Sequence, residues 1–179
     1  MTDWSQIVQQ HGPIVWRTAH RLLNNEADAC DCFQRTFISA LELERTEVIR
    51  SWPALLKRLA TARALECVRR RRREASRLTA LGESSLIDRK GVGPVQAAEA
   101  SELAEHLREA LADLDARQAQ VFCLACLDGL SYQEIAEQLR VAVSHVGVLL
   151  NRARAALRER LQARGPTPAA KDFPQELES

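Results

Sequence analysis

An all-α fold, built as two small helical domains joined by a flexible linker, follows from three observations on the 179-residue chain. Apolar residues recur at helical steps, and no segment alternates as a half-buried strand would. Aromatic residues are only 4% against 46% hydrophobic, and 7 Gly and 6 Pro are too few for the turns of a compact β-domain. Gly82, Gly91, Gly93 and Pro94 cluster mid-chain in RLTALGESSLIDRKGVGPVQAAE, where every helical period lapses. The boundaries read from this are a first domain over residues 1–77, a linker over 78–100, a second domain over 101–164 and a disordered tail over 165–179.

The first domain predicts helices over residues 3–11, 13–23, 26–43 and 52–73. In the last of these, Trp52, Leu55, Leu56, Leu59 and Ala62 form one apolar stripe, with Trp52 read as core. The second domain restarts with Leu103, Leu107, Ala110, Leu111 and Leu114, followed by Val121, Leu124 and Ala125. Ser131-Tyr132-Gln133-Glu134 then has the capping-box form, so a helix starts there and carries Ile135, Ala136 and Leu139 on one face. After a pause over 140–143, Val146, Leu150, Ala153, Leu157 and Leu161 mark the buried side of a long helix. A helix, a short turn and a second helix make a helix-turn-helix, whose second helix can enter a major groove; an ordinary helical hairpin is the alternative.

The net charge is only +1, but it is unevenly distributed. Residues 1–77 hold 14 Arg/Lys against 9 Asp/Glu, including the unbroken run Arg69, Arg70, Arg71, Arg72 and Arg73. Arg152, Arg154, Arg158, Arg160 and Arg164 lie along the last helix. Two basic surfaces point to a polyanion touched at two places. No stretch approaches the roughly 20 apolar residues of a membrane span, and MTDWSQIVQQ has no signal-peptide pattern, so the expected compartment is the cytoplasm, without membrane insertion. The five cysteines are expected as reduced thiols acting as small apolar residues. Cys123 and Cys126 are spaced like half a zinc site and Cys30 and Cys32 lie close, but neither pair has a second half, so neither a metal nor a cofactor is expected.

Three segments in order, DACDCFQRTFISALE, WPALLKRLATARALECVRRRRR and DGLSYQEIAEQL with the closing RARAALRERL, resemble the extracytoplasmic-function (ECF) sigma factors of the sigma-70 family. The resemblance covers residues 5–73 and 101–161. It implies a non-enzymatic subunit that binds core RNA polymerase, recognises two promoter DNA elements and helps melt the downstream one. It also implies an anti-sigma factor as inhibitor and a monomer when free. On the helix resembling the polymerase-clamp contact, Asp28, Asp31 and Gln34 share a polar face, while Phe33 and Phe37 share another; Arg35 and Cys30 stand where the family places acidic residues. Asp28, Asp31, Gln34 and Arg35 are the implied polymerase contacts. Arg63 and the run Arg69 to Arg73 are the implied downstream-DNA contacts, through phosphates. The loop over 43–51, with ERTEVIR at its centre, is implied to capture a flipped base.

On the recognition helix, placing Val146, Leu150, Ala153 and Leu157 inward turns Ser144, Val148, Asn151 and Ala155 outward, with His145, Gly147 and Arg152 at the flanks. Asn151 is suited to an adenine edge and Val148 to a thymine methyl, while Arg152, Arg154 and Arg158 are suited to phosphates. The family commonly has Lys, Ser and Arg where Gly147, Val148 and Leu149 stand, and Gly where Arg140 makes the turn. A two-domain helix-turn-helix regulator without productive polymerase binding is the competing reading, permitted by Cys30 and Arg35. A hydrolase or transferase is excluded by the absence of a phosphate loop, a nucleophile elbow or a paired-histidine metal motif.

Overall fold

The computed structural model describes the backbone of residues 2–80 and 95–163, and the side chains of 2–80 and 101–163. Among the described residues the chain is entirely helical: α1 (Trp4–Leu23), α2 (Glu26–Glu44), α3 (Trp52–Ala80), α4 (Val95–Ala112), α5 (Ala116–Phe122), a π-helical turn (Cys123–Leu127), α6 (Tyr132–Leu139) and α7 (Val143–Gln162). The glycines and proline of the expected linker, Gly82, Gly91, Gly93 and Pro94, lie outside the described residues, as do Arg164 and the tail.

Side chains set the helix starts. Asp3 accepts from the Gln6 amide at 3.1 Å, and Asn25 from the Asp28 amide at 3.0 Å. Between them Asn24 takes a left-handed conformation, φ 47°, which reverses the chain from α1 into α2 in two residues. The expected break near Pro13 does not occur: α1 runs through it. Pro13 and Gln9, whose carbonyl loses its usual donor, are both on the exposed side, while Gly12 lies against the Phe33 ring and lets α2 approach.

Both linker boundaries need correction. α3 continues to Ala80, and α4 begins at Val95 rather than near Leu103. These extensions have no apolar repeat to announce them; Ala, Glu, Arg and Leu favour helix, and Arg70 pairs with Glu74 one turn on at 4.0 Å. Leu103, placed in the stripe by its spacing, is 56% exposed, and Ala62 is also exposed because α3 buries Ala60, Thr61, Ala64 and Leu65 instead. Trp52 does pack inward, edge-on to Trp4 at 5.3 Å beside Leu56, Ala60 and Phe37.

The two domains are not merely tethered. One apolar cluster includes Leu22, Leu23 and Leu65 of the first together with Leu111, Leu114, Val121, Leu124, Ile135 and Leu150 of the second. α3 is the shared wall, with α1 and α2 on it from one side and α4 to α6 from the other.

Candidate nucleic-acid interface

The helix-turn-helix is built locally. The Ser131 hydroxyl accepts from the Glu134 amide at 3.2 Å while the Glu134 carboxylate accepts from the Ser131 amide at 2.8 Å. These bonds hold the Glu134 carboxyl below its ordinary value. Gly129, φ 67°, makes the turn before the box. Arg140 closes α6 at φ 54°, a left-handed position that favours glycine, and its amide reaches the Ala136 and Glu137 carbonyls. α7 then buries Val146, Leu150, Ala153 and Leu157 as the spacing predicts. Leu149, where the family commonly has a charged residue, is buried with them at 6% exposure.

Ser144, His145, Val148, Asn151 and Ala155 are exposed on the other side of α7, with Arg152, Arg154 and Arg158. Sequence reasoning missed Tyr132 and Val143, which are 41% and 48% exposed near the start of that helix. Gly147 faces the Tyr132 ring: a Cβ there would lie 3.8 Å from Cε2. The signal for Tyr132 was its place at the first helical position after the cap, which leaves a side chain on the rim of the motif.

The five arginines of α3 cannot act as one face, because successive residues point about 100° apart around a helix. Arg69 donates to the Leu114 carbonyl at 3.3 Å, Arg71 to the Leu23 carbonyl at 3.1 Å, and Arg72 to the Glu109 carbonyl at 3.1 Å and the Asp113 carboxylate at 2.8 Å. Only Arg70 and Arg73 are exposed. The expectation of five phosphate-binding arginines is therefore corrected for this arrangement. Arg63, also half-buried, donates to Ser39 at 2.9 Å.

On α2, Asp28 is half-buried and pairs with Arg71, so it does not share the exposed polar face expected of it. Asp31 and Arg35 pair with each other at 3.0 Å, both more than half exposed, and Gln34 is exposed beside them. Ile38 (55% exposed) and Leu41 (37%) continue this stripe at steps of three and four, a period visible in the sequence that the sequence reading did not include. The cysteine expectation holds for Cys32 and Cys123, which are buried, with the Cys32 thiol pushed up to about 11 and Cys123 also raised by burial. Cys30 and Cys126 are exposed and do not serve the core. All five are free thiols.

An exposed reading helix and an exposed mixed stripe on a separate helical unit define the class: a two-domain helical protein with a DNA-binding motif. The family model for sigma-70 region 2 matches residues 7–74, and that for sigma-70 region 4 matches residues 104–157. The chain is 33% identical over 162 residues to the ECF RNA polymerase sigma factor SigE of Mycolicibacterium smegmatis, a match covering 90% of this chain and 62% of that protein. It is 27% identical over 166 residues to the ECF RNA polymerase sigma factor SigW of Bacillus subtilis, covering 89% of each. Among solved structures, similar chains include the sigma factor RpoE in complex with the anti-sigma factor NepR from Bartonella quintana (TM-score 0.57, 22% identity, 92% of this chain and 100% of that one). CnrH, in complex with the cytosolic domain of CnrY, is similar with TM-score 0.56 and 25% identity over 90% of this chain and 88% of that one. The chain belongs to the sigma-70 family of RNA polymerase sigma factors, in its ECF branch, whose regions 2 and 4 recognise the −10 and −35 promoter elements.

Proposed function

We propose that the chain acts in the cytoplasm as a dissociable promoter-recognition subunit. Region 2 docks on core RNA polymerase through Asp31, Gln34 and Arg35, extended by Ile38 and Leu41, and engages the −10 element. Region 4 lays α7 in the major groove of the −35 element, with Asn151 and Val148 on base edges, Ser144 and His145 at the near end, and Arg152, Arg154 and Arg158 on phosphates. The observation that carries this reading is the outward face of α7, exposed at Ser144, Val148, Asn151, Ala155 and Arg158, on a helix whose opposite face is fully buried. An anti-sigma protein is proposed as a further partner, because the similar sigma factor RpoE is solved in complex with the anti-sigma factor NepR.

The test is transcription by purified bacterial core polymerase on a pooled promoter library, with and without the chain. New start sites sharing paired −35 and −10 sequences, and lost on replacing Asp31 and Gln34 together, are the expected result. Binding of duplex DNA without any new start site would replace this reading with that of a regulator that does not work through polymerase. Asn151→Ala should relax preference at one position of the upstream element; an unchanged preference would remove Asn151 from the reading set.

A further inference from the structure

Asp128, at the end of the π-helical turn, joins the two domains through several hydrogen bonds. Its carboxylate accepts from Thr18 at 2.8 Å, Arg21 at 2.6 Å and Thr61 at 3.0 Å, all in region 2. Its backbone carbonyl accepts from Lys57 at 2.7 Å, and the neighbouring Leu127 carbonyl accepts from Arg21 at 2.7 Å. The Asp128 side chain is only 5% exposed, and Thr18 and Thr61 are 1% and 0% exposed. The π-helical geometry contributes directly: the Asp128 amide bonds back to the Cys123 carbonyl five residues earlier, widening the turn that presents Leu127 and Asp128 together.

We propose that Asp128 is a latch that holds regions 2 and 4 in a closed arrangement unable to engage a promoter, and that its release precedes initiation. This rests on the sigma-factor reading above. In the closed form the arginine run of α3 is occupied by region 4: Arg69 and Arg72 bond to Leu114, Glu109 and Asp113. The segment before α3 is also engaged, with Arg140 bonded to Glu47 at 2.6 Å, and the first turns of α3 are held through Arg58, which donates to Gln138 at 3.2 Å. The α7 face stays open, so closure withholds the −10 side rather than the −35 side. Distance adds a second obstacle. Elements 25 positions apart are separated by about 85 Å of B-DNA at roughly 3.4 Å per base pair, whereas both domains here pack along α3, whose 29 residues span about 44 Å.

The latch can open because its bonds are polar and interchangeable with water. Arg21 Nε, buried beside the carboxylate, has no acceptor among the described residues, so closure leaves one donor unmatched that opening would hydrate. Region 2 alone would present Thr18, Thr61 and Arg21 as a polar socket that needs no protein partner.

Cys30 on α2 and Cys126 in the π-helical turn are exposed, one in each domain, and suit a spin-label distance measurement on the full chain with Cys67 replaced by Ser. Asp128→Asn should lengthen and broaden the Cys30–Cys126 distance distribution and raise affinity for core polymerase with −10 single-stranded DNA by about tenfold or more, as the competent fraction rises. Affinity for a −35 duplex should change less than threefold. Thr18→Val with Thr61→Val, which leaves region 4 untouched, should act in the same direction and guards against misfolding of the Asp128 variant, checked by far-ultraviolet circular dichroism. An unchanged distance in both folded variants overturns the latch; a longer distance with unchanged −10 and polymerase affinity overturns its inhibitory role. A longer distance in a chain that binds core polymerase in neither form sustains the latch as a domain clasp and sinks the proposed function.

Discussion

The basic stretches of α3 and α7 read alike in the sequence and stand in opposite situations in the fold. On α3, Arg69 and Arg72 point into the seam, where carbonyls and a carboxylate of the second domain receive them, and Arg71 is taken up within its own domain by the Leu23 carbonyl and Asp28. On α7, Arg152, Arg154 and Arg158 are exposed along an uncovered face. Charge density alone therefore says little about which cations are available to a polyanion. What decides it is whether the helix has one packed face, as α7 has, or is the wall between two layers, as α3 is.

The largest effect should come from the apolar floor of the seam. Leu65, 2% exposed in the cluster common to both domains, should cost about 2–5 kcal/mol on replacement by Ala. Urea unfolding followed by tryptophan fluorescence, from region 2, and by circular dichroism, from the whole chain, should then shift together. Two separated transitions, with only the region 2 signal displaced, would break the view that the seam is part of one core.

The arginines themselves give the sharper contrast. Arg72→Ala removes a bond to Glu109 and a pair with Asp113 whose side chains are each about one-third exposed, so solvent screening limits the loss to about 1 kcal/mol of stability. Arg158→Ala should change stability by less than about 0.5 kcal/mol, yet reduce the salt dependence of −35 duplex binding by about one phosphate contact. Denaturation midpoints and a titration of binding against salt would check both. If Arg158→Ala left the salt slope intact, the open face of α7 would lose its claim to the phosphates.

The difference between the two regions is also a difference in what a sequence can reveal. The capping box was legible because Ser131 and Glu134 recognise each other's backbone three residues apart, and the turn was legible because Arg140 stands where the chain must reverse. The Asp128 contacts were not, since its partners Thr18 and Thr61 lie 110 and 67 residues away and no local pattern selects them. Five consecutive arginines suggested a single surface for a similar reason: a run shows charge, while its distribution around the helix depends on which neighbours arrive. Ile38 and Leu41 were not legible either, because nothing in an apolar residue at helical spacing tells whether a neighbouring helix will cover it, and here none does.

Arg140 offers a smaller test of the local side of this contrast. At φ 54° it occupies a conformation that costs a non-glycine residue roughly 1–2 kcal/mol, so Arg140→Gly should relieve the turn. The same change deletes the exposed half of its pair with Glu47, worth at most about 1 kcal/mol. Thermal unfolding should therefore show a gain of up to about 1 kcal/mol, and a loss would mean that the Glu47 contact outweighs backbone strain.

The smallest effect belongs to Glu134, and its sign is fixed by the box. The carboxyl is held below its ordinary value of 4.5, first by the Ser131 amide and then by the Ser131 hydroxyl. A depressed value means that the folded chain binds the proton less readily than the unfolded one. The stabilisation is therefore fully present above about 4.5 and is lost as the pH falls through the lower, folded value. Glu134→Gln keeps an acceptor for the Ser131 amide but removes the titration. The stability gap between the parent chain and this variant should be open near neutrality and narrow on acidification below about 4.5, as measured by urea midpoints at matched ionic strength. A gap that stays constant across that range would mean that the box holds α6 through the serine alone, and that the reading helix is positioned by packing rather than by its predecessor's cap.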